Sequence, residues 1–173
     1  MAKNYMIGNW KMNQSLNDID SFFKDLKLEN NQNNFWIAPQ TLHIAKTIEA
    51  GKNAGVLVGS QNISDQDHGA FTGEISSDSL MEMGGHFCLV GHSERRSYYQ
   101  ESDDFLNKKV LKSIDKGLVP VFCCGETLEQ REANKTMEVV LSQIEAGLKD
   151  VTLNNESELI IAYEPVWAIG TGK

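Results

Sequence analysis

The chain has 173 residues, and 24 acidic against 16 basic side chains give it a formal net charge of −8. A chain of this length buries about 70% of its unfolded surface when it folds as one domain, and a composition of 40% hydrophobic and 23% charged residues, with 14 glycines and 3 prolines, excludes disordered and collagen-like proteins. The excess of negative charge disfavours nonspecific binding to nucleic acid or to anionic membranes, since both need clustered Lys and Arg.

Short apolar runs of strand length alternate with longer segments whose apolar residues recur every three or four positions. Ser15 and Ser102 are predicted N-caps of two helices, and Gly51, Gly117 and Gly147 are predicted left-handed residues near helix ends. The predicted strands are Tyr5 to Asn9, Phe35 to Ala38, Val56 to Gln61, Phe87 to Gly91, Val119 to Cys124 and Leu159 to Tyr163. The predicted apolar helix faces are Leu16, Ile19, Phe22, Phe23 and Leu26; then Leu106, Val110, Leu111 and Ile114; then Met137, Val140, Leu141, Ile144 and Leu148.

Strands that are apolar on both faces and separated by helices predict a parallel α/β sheet, because parallel neighbours need a crossover connection. An open doubly wound sheet and a closed (β/α) barrel both meet this requirement, and periodicity does not choose between them. A dinucleotide-binding sheet carries a Gly-x-Gly-x-x-Gly turn after its first strand. Here that strand continues as Gly8-Asn9-Trp10-Lys11-Met12-Asn13, which disfavours a Rossmann fold. No linker divides the chain, so we expect one domain over residues 1–173.

Polar side chains stand at the C-terminal ends of the predicted strands, where parallel α/β folds gather their ligand sites. This set suits proton transfer on an anionic substrate with a carbonyl group, because it offers a carboxylate base, a neutral donor and a lysine. Each of three residues also has a purely structural alternative when it is taken singly. Lys11 would then be a surface lysine, His92 a helix-start residue and Glu164 a carboxylate paired with an arginine. The whole set is Asn9, Lys11, Gln61, Asn62, His92, Glu126 and Glu164.

Metal and membrane binding are both disfavoured. The four histidines are scattered, and no cysteine pairs have metal-ligand spacing. Cys88, Cys123 and Cys124 are an odd count, and neighbours in a strand pair poorly, so we expect reduced thiols in a cytoplasmic protein. No run approaches the ~20 apolar residues of a membrane span, and the first residues do not form a secretory signal.

The last residues of the chain predict a hinged loop. Pro165 is rigid, the segment ends in glycines, and the apolar Trp167 and Ile169 lie between them. Such a loop suits a lid that closes over a site and excludes water. An ordinary strand-to-helix loop is the alternative.

Four segments, taken in order and at their spacing, resemble the triosephosphate isomerase family from end to end of the chain. They are Asn9-Trp10-Lys11-Met12-Asn13, Gly69-Ala70-Phe71-Thr72-Gly73-Glu74, Gly91-His92-Ser93-Glu94-Arg95-Arg96 and Ala162-Tyr163-Glu164-Pro165-Val166-Trp167-Ala168-Ile169-Gly170-Thr171-Gly172-Lys173. The resemblance implies a TIM (β/α)₈ barrel and an aldose–ketose isomerase, an intramolecular oxidoreductase without a cofactor. Its substrates would be dihydroxyacetone phosphate and D-glyceraldehyde 3-phosphate, interconverted through an enediolate in glycolysis and gluconeogenesis.

The same resemblance implies roles for five residues in the site. Glu164 would be the base that takes the proton next to the carbonyl and returns it to the adjacent carbon. His92, held neutral near a helix N-terminus, would donate to the carbonyl or enediolate oxygen. Lys11 and Asn9 would bind the phosphate and the developing charge. Gly170 would give its backbone N–H to the phosphate when the lid closes.

Further residues match supporting positions of the family. Ser93, Glu94, Glu101 and Glu126 would surround the site, Glu126 as part of a Cys-x-Gly-Glu element. Thr72 lies in the segment that resembles a loop inserted into a second subunit, which implies a homodimer.

The length of the chain limits this interpretation. A (β/α)₈ barrel typically has about 250 residues, and six predicted strands amount to about six βα units. We therefore expect an incomplete barrel, and the alternative function is a non-catalytic barrel fragment that needs a complementary chain or the full-length sequence for activity.

Overall fold

The computed structural model describes residues 4–28, 33–154 and 157–169. Strands and helices alternate throughout, and short 3₁₀ turns cover Thr41–His43, Lys52–Ala54 and Val166–Ala168. The strands are β1 (Asn4–Asn9), β2 (Asn33–Ala38), β3 (Leu57–Ser60), β4 (Phe87–Val90), β5 (Val119–Cys124) and β6 (Ile160–Tyr163). The helices are α1 (Leu16–Asp25), α2 (Ile44–Gly51), α3 (Ser77–Glu82), α4 (Ser93–Tyr98), α5 (Asp103–Asp115), α6 (Leu128–Glu132) and α7 (Thr136–Gly147).

The six strands form one parallel sheet in the order β1-β2-β3-β4-β5-β6. A doubly wound sheet reverses its strand order at a switch point, so this sequential order excludes that architecture and confirms the predicted (β/α) barrel type. The sheet is curled, and the curl brings its two outer strands together. The Tyr5 hydroxyl of β1 donates to Oε1 of Glu158, just before β6, at 3.0 Å. None of the helices in the described part of the chain is long and apolar enough to cross a bilayer.

The core lies on both faces of the sheet, as the unbroken apolar strands predict. Inside the curl, Trp36, Phe87 and Val121 pack with side chains from the neighbouring strands. On the outer face, Val90 and Phe122 pack against residues of α2, α3 and α5. Side chains therefore alternate between an inner and an outer core, and the polar residues of the site are left for the strand ends.

The helix ends bear out part of the capping prediction. Ser15 and Ser102 cap α1 and α5, accepting from the N–H groups of Asp18 and Phe105, and Gly117 has the expected left-handed φ of 84°. The prediction was wrong at Gly51, whose φ is −77°. It was also wrong at Gly147, which is absent from the positive-φ glycines of the described residues and is required for packing. A Cβ there would lie 2.2 Å from the ring of Phe122.

Four helices lie outside the three predicted apolar helix faces. They are α2, α3, α4 and α6, which have 8, 6, 6 and 5 residues. One or two turns give too few apolar positions for a period of 3.6 to appear. Three of them begin at a polar cap, Ser76 for α3, His92 for α4 and Thr127 for α6, and these caps are the local signal that was available.

Candidate functional site

The C-terminal ends of the strands meet at a cleft of about 790 Å³. Asn9 ends β1 and Lys11 follows it, Gln61 follows β3, and His92 follows β4. All four line this cleft. Glu164 follows β6 and reaches His92 from the other side. The curled parallel sheet thus gathers residues that are far apart in the chain at one end of the fold.

Lys11 is held in a strained conformation by its neighbours. Its φ is 50°, a value that non-glycine residues adopt at a cost of order 1–3 kcal/mol. The Lys11 N–H donates to Oδ1 of Asn9 at 3.0 Å, and Nε2 of Gln61 donates to the Lys11 carbonyl at 2.8 Å and to that of Ala38 at 2.9 Å. Nζ of Lys11 lies 2.7 Å from Oε1 of Glu94. Lys11 is therefore a fixed residue of the cleft, and the surface-lysine interpretation was wrong.

His92 is a helix cap whose second nitrogen points into the site. The residue is 5% exposed, and its Nδ1 accepts from the N–H of Glu94 at 3.2 Å at the start of α4. An accepting Nδ1 carries no proton, so this bond selects the neutral ring with its proton on Nε2. Nε2 lies 3.5 Å from Oε2 of Glu164. The local cap and the functional orientation of the ring are the same arrangement.

Glu164 presents an unpaired carboxylate oxygen. Its backbone N–H donates to the carbonyl of Cys124 at 2.8 Å, which extends the β5–β6 pairing by one residue. Oε2 is buried and has no hydrogen-bond partner among the described residues. The contact that the structure records for this carboxylate is with Nε2 of His92, and no arginine pairs with it among the described residues, so the predicted arginine partner was wrong. Ser93 borders the same small space as Glu164.

Glu101 lies behind the cleft in a buried ionic network. Its Oε1 accepts from Nε of Arg95 at 2.8 Å and from Nζ of Lys109 at 2.7 Å. Lys109 also donates to Oδ1 of Asn62 at 2.8 Å. Arg95 and Asn62 line the cleft, so Glu101 and Lys109 support its wall from within. Sequence analysis missed Lys109, because a lysine on a helix usually extends into solvent and carries no signal of burial.

Glu126 is fully buried and accepts hydrogen bonds from β6, from the turn that follows it, and from α6 and α7. Its carboxylate accepts from the Tyr163 hydroxyl at 3.0 Å, from Nε1 of Trp167 at 3.2 Å, and from Arg131 and Thr136 at 3.4 Å. Burial acts to raise the pKa of Glu126, but the hydrogen bonds from its own backbone N–H and from Trp167, Tyr163 and Arg131 outweigh it. They hold the pKa of the carboxyl below its ordinary value of 4.5. Glu126 is thus an ionised anchor for the start of the predicted lid.

Two predicted residues lie apart from this centre. Thr72 is exposed in the loop of residues 68–74, whose end at Gly73 and Glu74 borders the cleft. Gly170 lies outside the described residues, as do the other residues of the predicted lid after Ile169. Among the residues that the structure describes, no group of three or more His, Cys, Asp or Glu side chains could hold a metal ion.

Arg96 and Gln61 shape the site. Gln61 belongs to the predicted set at the strand ends, whereas Arg96 was not predicted as a site residue. Nε of Arg96 donates to the Gly91 carbonyl at 2.8 Å, and Nη2 donates to that of Cys123 at 3.2 Å, so one guanidinium joins the ends of β4 and β5. Gln61 joins β3 to Lys11 in the same way. Both act on backbone carbonyls of distant strands, a partnership that leaves no local pattern in the sequence.

Comparison with known proteins gives a consistent result along the chain. A sequence profile described as triosephosphate isomerase matches residues 4–173. Curated proteins named triosephosphate isomerase from Clostridium botulinum and Clostridium acetobutylicum are each 42% identical over 168 residues, which is 96% of this chain and 68% of each relative. The protein of that name from Finegoldia magna is 42% identical over 177 residues, 100% of this chain and 70% of the relative.

Proposed function

The chain belongs to the triosephosphate isomerase family, and from that premise we propose that it interconverts dihydroxyacetone phosphate and D-glyceraldehyde 3-phosphate by proton transfer. One observation carries the proposal: Nε2 of the buried His92 lies 3.5 Å from Oε2 of Glu164. A hydrogen-bond donor and a carboxylate base are therefore both within reach of one small substrate beside a lysine.

Glu164 acts as the general base. Its Oε2 is buried and has no hydrogen-bond partner among the described residues, so a lone pair remains available for the proton on the carbon next to the substrate carbonyl. Removal of that proton leaves an enediolate. The hydroxyl proton then passes from the oxygen on the deprotonated carbon to the neighbouring enediolate oxygen, and return of the carbon-bound proton to the adjacent carbon gives the isomeric triose phosphate. The same carboxylate serves both directions, so no cofactor enters the reaction.

His92 and Lys11 stabilise the charge that develops. Because Nδ1 of His92 accepts from the Glu94 N–H, the Nε2 proton is the one the ring can donate to the carbonyl oxygen. The Lys11 ammonium offers positive charge in a molecule of net charge −8, and Asn9, which also lines the cleft, adds an amide. Gly170 would bind the phosphate through its backbone N–H as the lid closes, and that role rests on the family resemblance.

We propose two further properties with the activity. The substrate and product place the enzyme in glycolysis and gluconeogenesis, and the free, buried thiols of Cys88, Cys123 and Cys124 support a cytoplasmic location. A homodimer is supported by the exposed apolar side chains at the rim of the cleft. Met12 and Leu42 are 83% and 88% exposed there, and the loop that carries Thr72 would cover them in the partner.

The activity is tested by assaying interconversion of the two triose phosphates by the purified chain and by its Glu164→Gln variant. We expect turnover by the parent and a kcat at least ~10²-fold lower in the variant, in line with loss of a general base. Glu145→Gln, at an exposed position of α7, is the matched control and should keep the parental rate. A folded parent without turnover would favour the non-catalytic alternative, and a fully active Glu164→Gln variant would remove Glu164 from its role.

A further inference from the structure

The backbone of Gly125 lies between two hydrogen bonds that continue the parallel pairing beyond the ends of β5 and β6. On either side of it, the Glu164 N–H donates to the Cys124 carbonyl at 2.8 Å and the Val166 N–H donates to the Glu126 carbonyl at 3.1 Å. The two polar groups of Gly125 bond instead to one carboxamide on α7. Its N–H donates to Oε1 of Gln143 at 2.9 Å, and Nε2 of Gln143 donates to its carbonyl at 3.2 Å. Gln143 thus satisfies Gly125 as a neighbouring strand would.

Gly125 in turn forms the surface against which Glu164 rests. A Cβ at Gly125 would lie 1.9 Å from the carbonyl oxygen of Glu164 and 2.7 Å from its carbonyl carbon, so the two backbones are in direct contact. The next residue is Pro165, which has no N–H to donate back to β5. The contact between Gly125 and Glu164 is therefore steric, and it positions the Glu164 backbone together with the hydrogen bond from the Glu164 N–H to Cys124.

The reach of Gln143 is fixed by close packing of α7 on β5. Gly147 lies one turn after Gln143, on the same face of the helix. The absence of a side chain at Gly147 lets α7 approach Phe122, since a Cβ would lie 2.2 Å from the ring. Asn107 of α5 holds the same turn by donating to the Gly147 carbonyl at 3.0 Å. Gln143 therefore projects from a rigid support.

We infer that Gln143 is a positioning residue for Glu164, acting through Gly125. The inference rests on the proposed role of Glu164 as the base. Because Oε2 of Glu164 has no hydrogen-bond partner among the described residues, nothing recorded at that atom holds the carboxylate. Its placement 3.5 Å from Nε2 of His92 depends on where its backbone sits. The Glu164 backbone is held at the end of β5. Gly125, the residue just after β5 that the Glu164 backbone touches, is held by Gln143.

Two substitutions test the inference in the intact chain. Gln143→Leu removes both hydrogen bonds to Gly125. Gln143→Glu keeps the shape and the acceptor for the Gly125 N–H but loses the donor to its carbonyl. We expect kcat to fall about 10- to 100-fold in Gln143→Leu, since a misplacement of about 1 Å can cost 10²-fold, and less in Gln143→Glu. KM should stay within about twofold of the parent, because Gln143 does not line the cleft. Ser142→Ala, at the adjacent exposed position, is the control.

Crystal structures of the parent and of both variants give a readout that a purely stabilising role would not move. We expect the separation between Oε2 of Glu164 and Nε2 of His92 to change in the variants and to stay as in the parent in Ser142→Ala. Parental kcat in folded Gln143→Glu and Gln143→Leu would overturn the inference, as would an equal loss of kcat in Ser142→Ala. If Gln143→Leu does not fold, Gln143→Glu decides. If the parent itself shows no isomerase turnover, the proposed function fails, and the Glu164 position in the crystals alone decides the role of Gln143.

Discussion

Lys11 illustrates how a single residue is held in an unfavourable conformation by distant partners. Its left-handed φ of 50° costs of order 1–3 kcal/mol. Hydrogen bonds from Gln61 and to Asn9, each contributing about 1 kcal/mol net, offset a cost of that size. The ion pair with Glu94 then fixes the ammonium group. The position of the Lys11 ammonium group is therefore set by Asn9, Gln61 and Glu94 together.

Glu126 should make stability depend on pH. A carboxyl whose pKa is lower in the folded state stabilises that state fully above its unfolded pKa, here about 4.5, and the contribution is lost as pH falls through the folded pKa. Glu126→Gln resembles the protonated form in shape and charge. We expect this variant to be less stable than the parent near neutral pH, by about 1–3 kcal/mol, with the difference shrinking below about pH 4.5.

Urea unfolding of the parent and of Glu126→Gln, near neutral pH and again below the unfolded pKa of Glu126, measures this difference in stability. Glu129→Gln, an exposed glutamate of α6, is the control and should show little difference at either pH. A difference between the parent and Glu126→Gln that stays constant with pH would contradict the assigned ionised state.

At the scale of elements, α7 and β5 approach each other more closely than side chains normally allow. The fit depends on Gly147, where an added methyl group would overlap the Phe122 ring. Alanine favours a helix interior over glycine by about 1 kcal/mol, whereas overpacking costs about 1–3 kcal/mol. The clash should therefore exceed the gain in helix propensity.

We expect Gly147→Ala to lower the free energy of unfolding by up to about 2 kcal/mol, the overpacking cost less the helix gain. Thermal or denaturant unfolding measures the change. Gly8→Ala is the matched control, because a Cβ there meets its nearest atom at 3.7 Å and the position has no positive φ. A Gly147→Ala variant as stable as the parent would mean that α7 shifts without cost.

At the scale of the whole molecule, the exposed rim of the cleft supports the proposed homodimer. We expect the parent to sediment as a dimer, at about twice its 19.3 kDa mass. Thr72→Arg would place an unpaired charge in the interface, at a cost of about 3–5 kcal/mol, and weaken dimerisation by about a hundredfold or more.

Sedimentation equilibrium over a range of concentrations tests this expectation. Met137→Asp is the control, since Met137 is an exposed apolar residue of α7 that does not line the cleft. A parent that is monomeric at every concentration would contradict the homodimer, and so would a Thr72→Arg variant that dimerises like the parent.

The sequence predicted the parts of this molecule that depend on local pattern. The six strands followed from apolar runs such as Val119–Cys124, and the caps at Ser15 and Ser102 followed from residue type. The contacts of Gln61 and Gln143 could not be predicted, because each is a polar side chain that bonds the backbone of a distant strand. Hydrophobic periodicity carries no information about hydrogen bonds of this kind. The strand-end pattern supplied the main candidate site residues, such as Lys11, His92 and Glu164. The four-segment resemblance added their roles, which stay predictions.

The hydrogen bond from Tyr5 to Glu158 has a consequence for folding kinetics. It joins residues 153 positions apart, and closing so long a loop in an unfolded chain carries an entropic cost that no single hydrogen bond repays. Each strand of the sheet pairs with the next strand in the sequence, so the sheet can grow one βα unit at a time. This growth shortens the loop that the hydrogen bond has to close. The contact should therefore form late in folding, after the strands between its two residues have paired, and a probe at Tyr5 should report the last step of assembly.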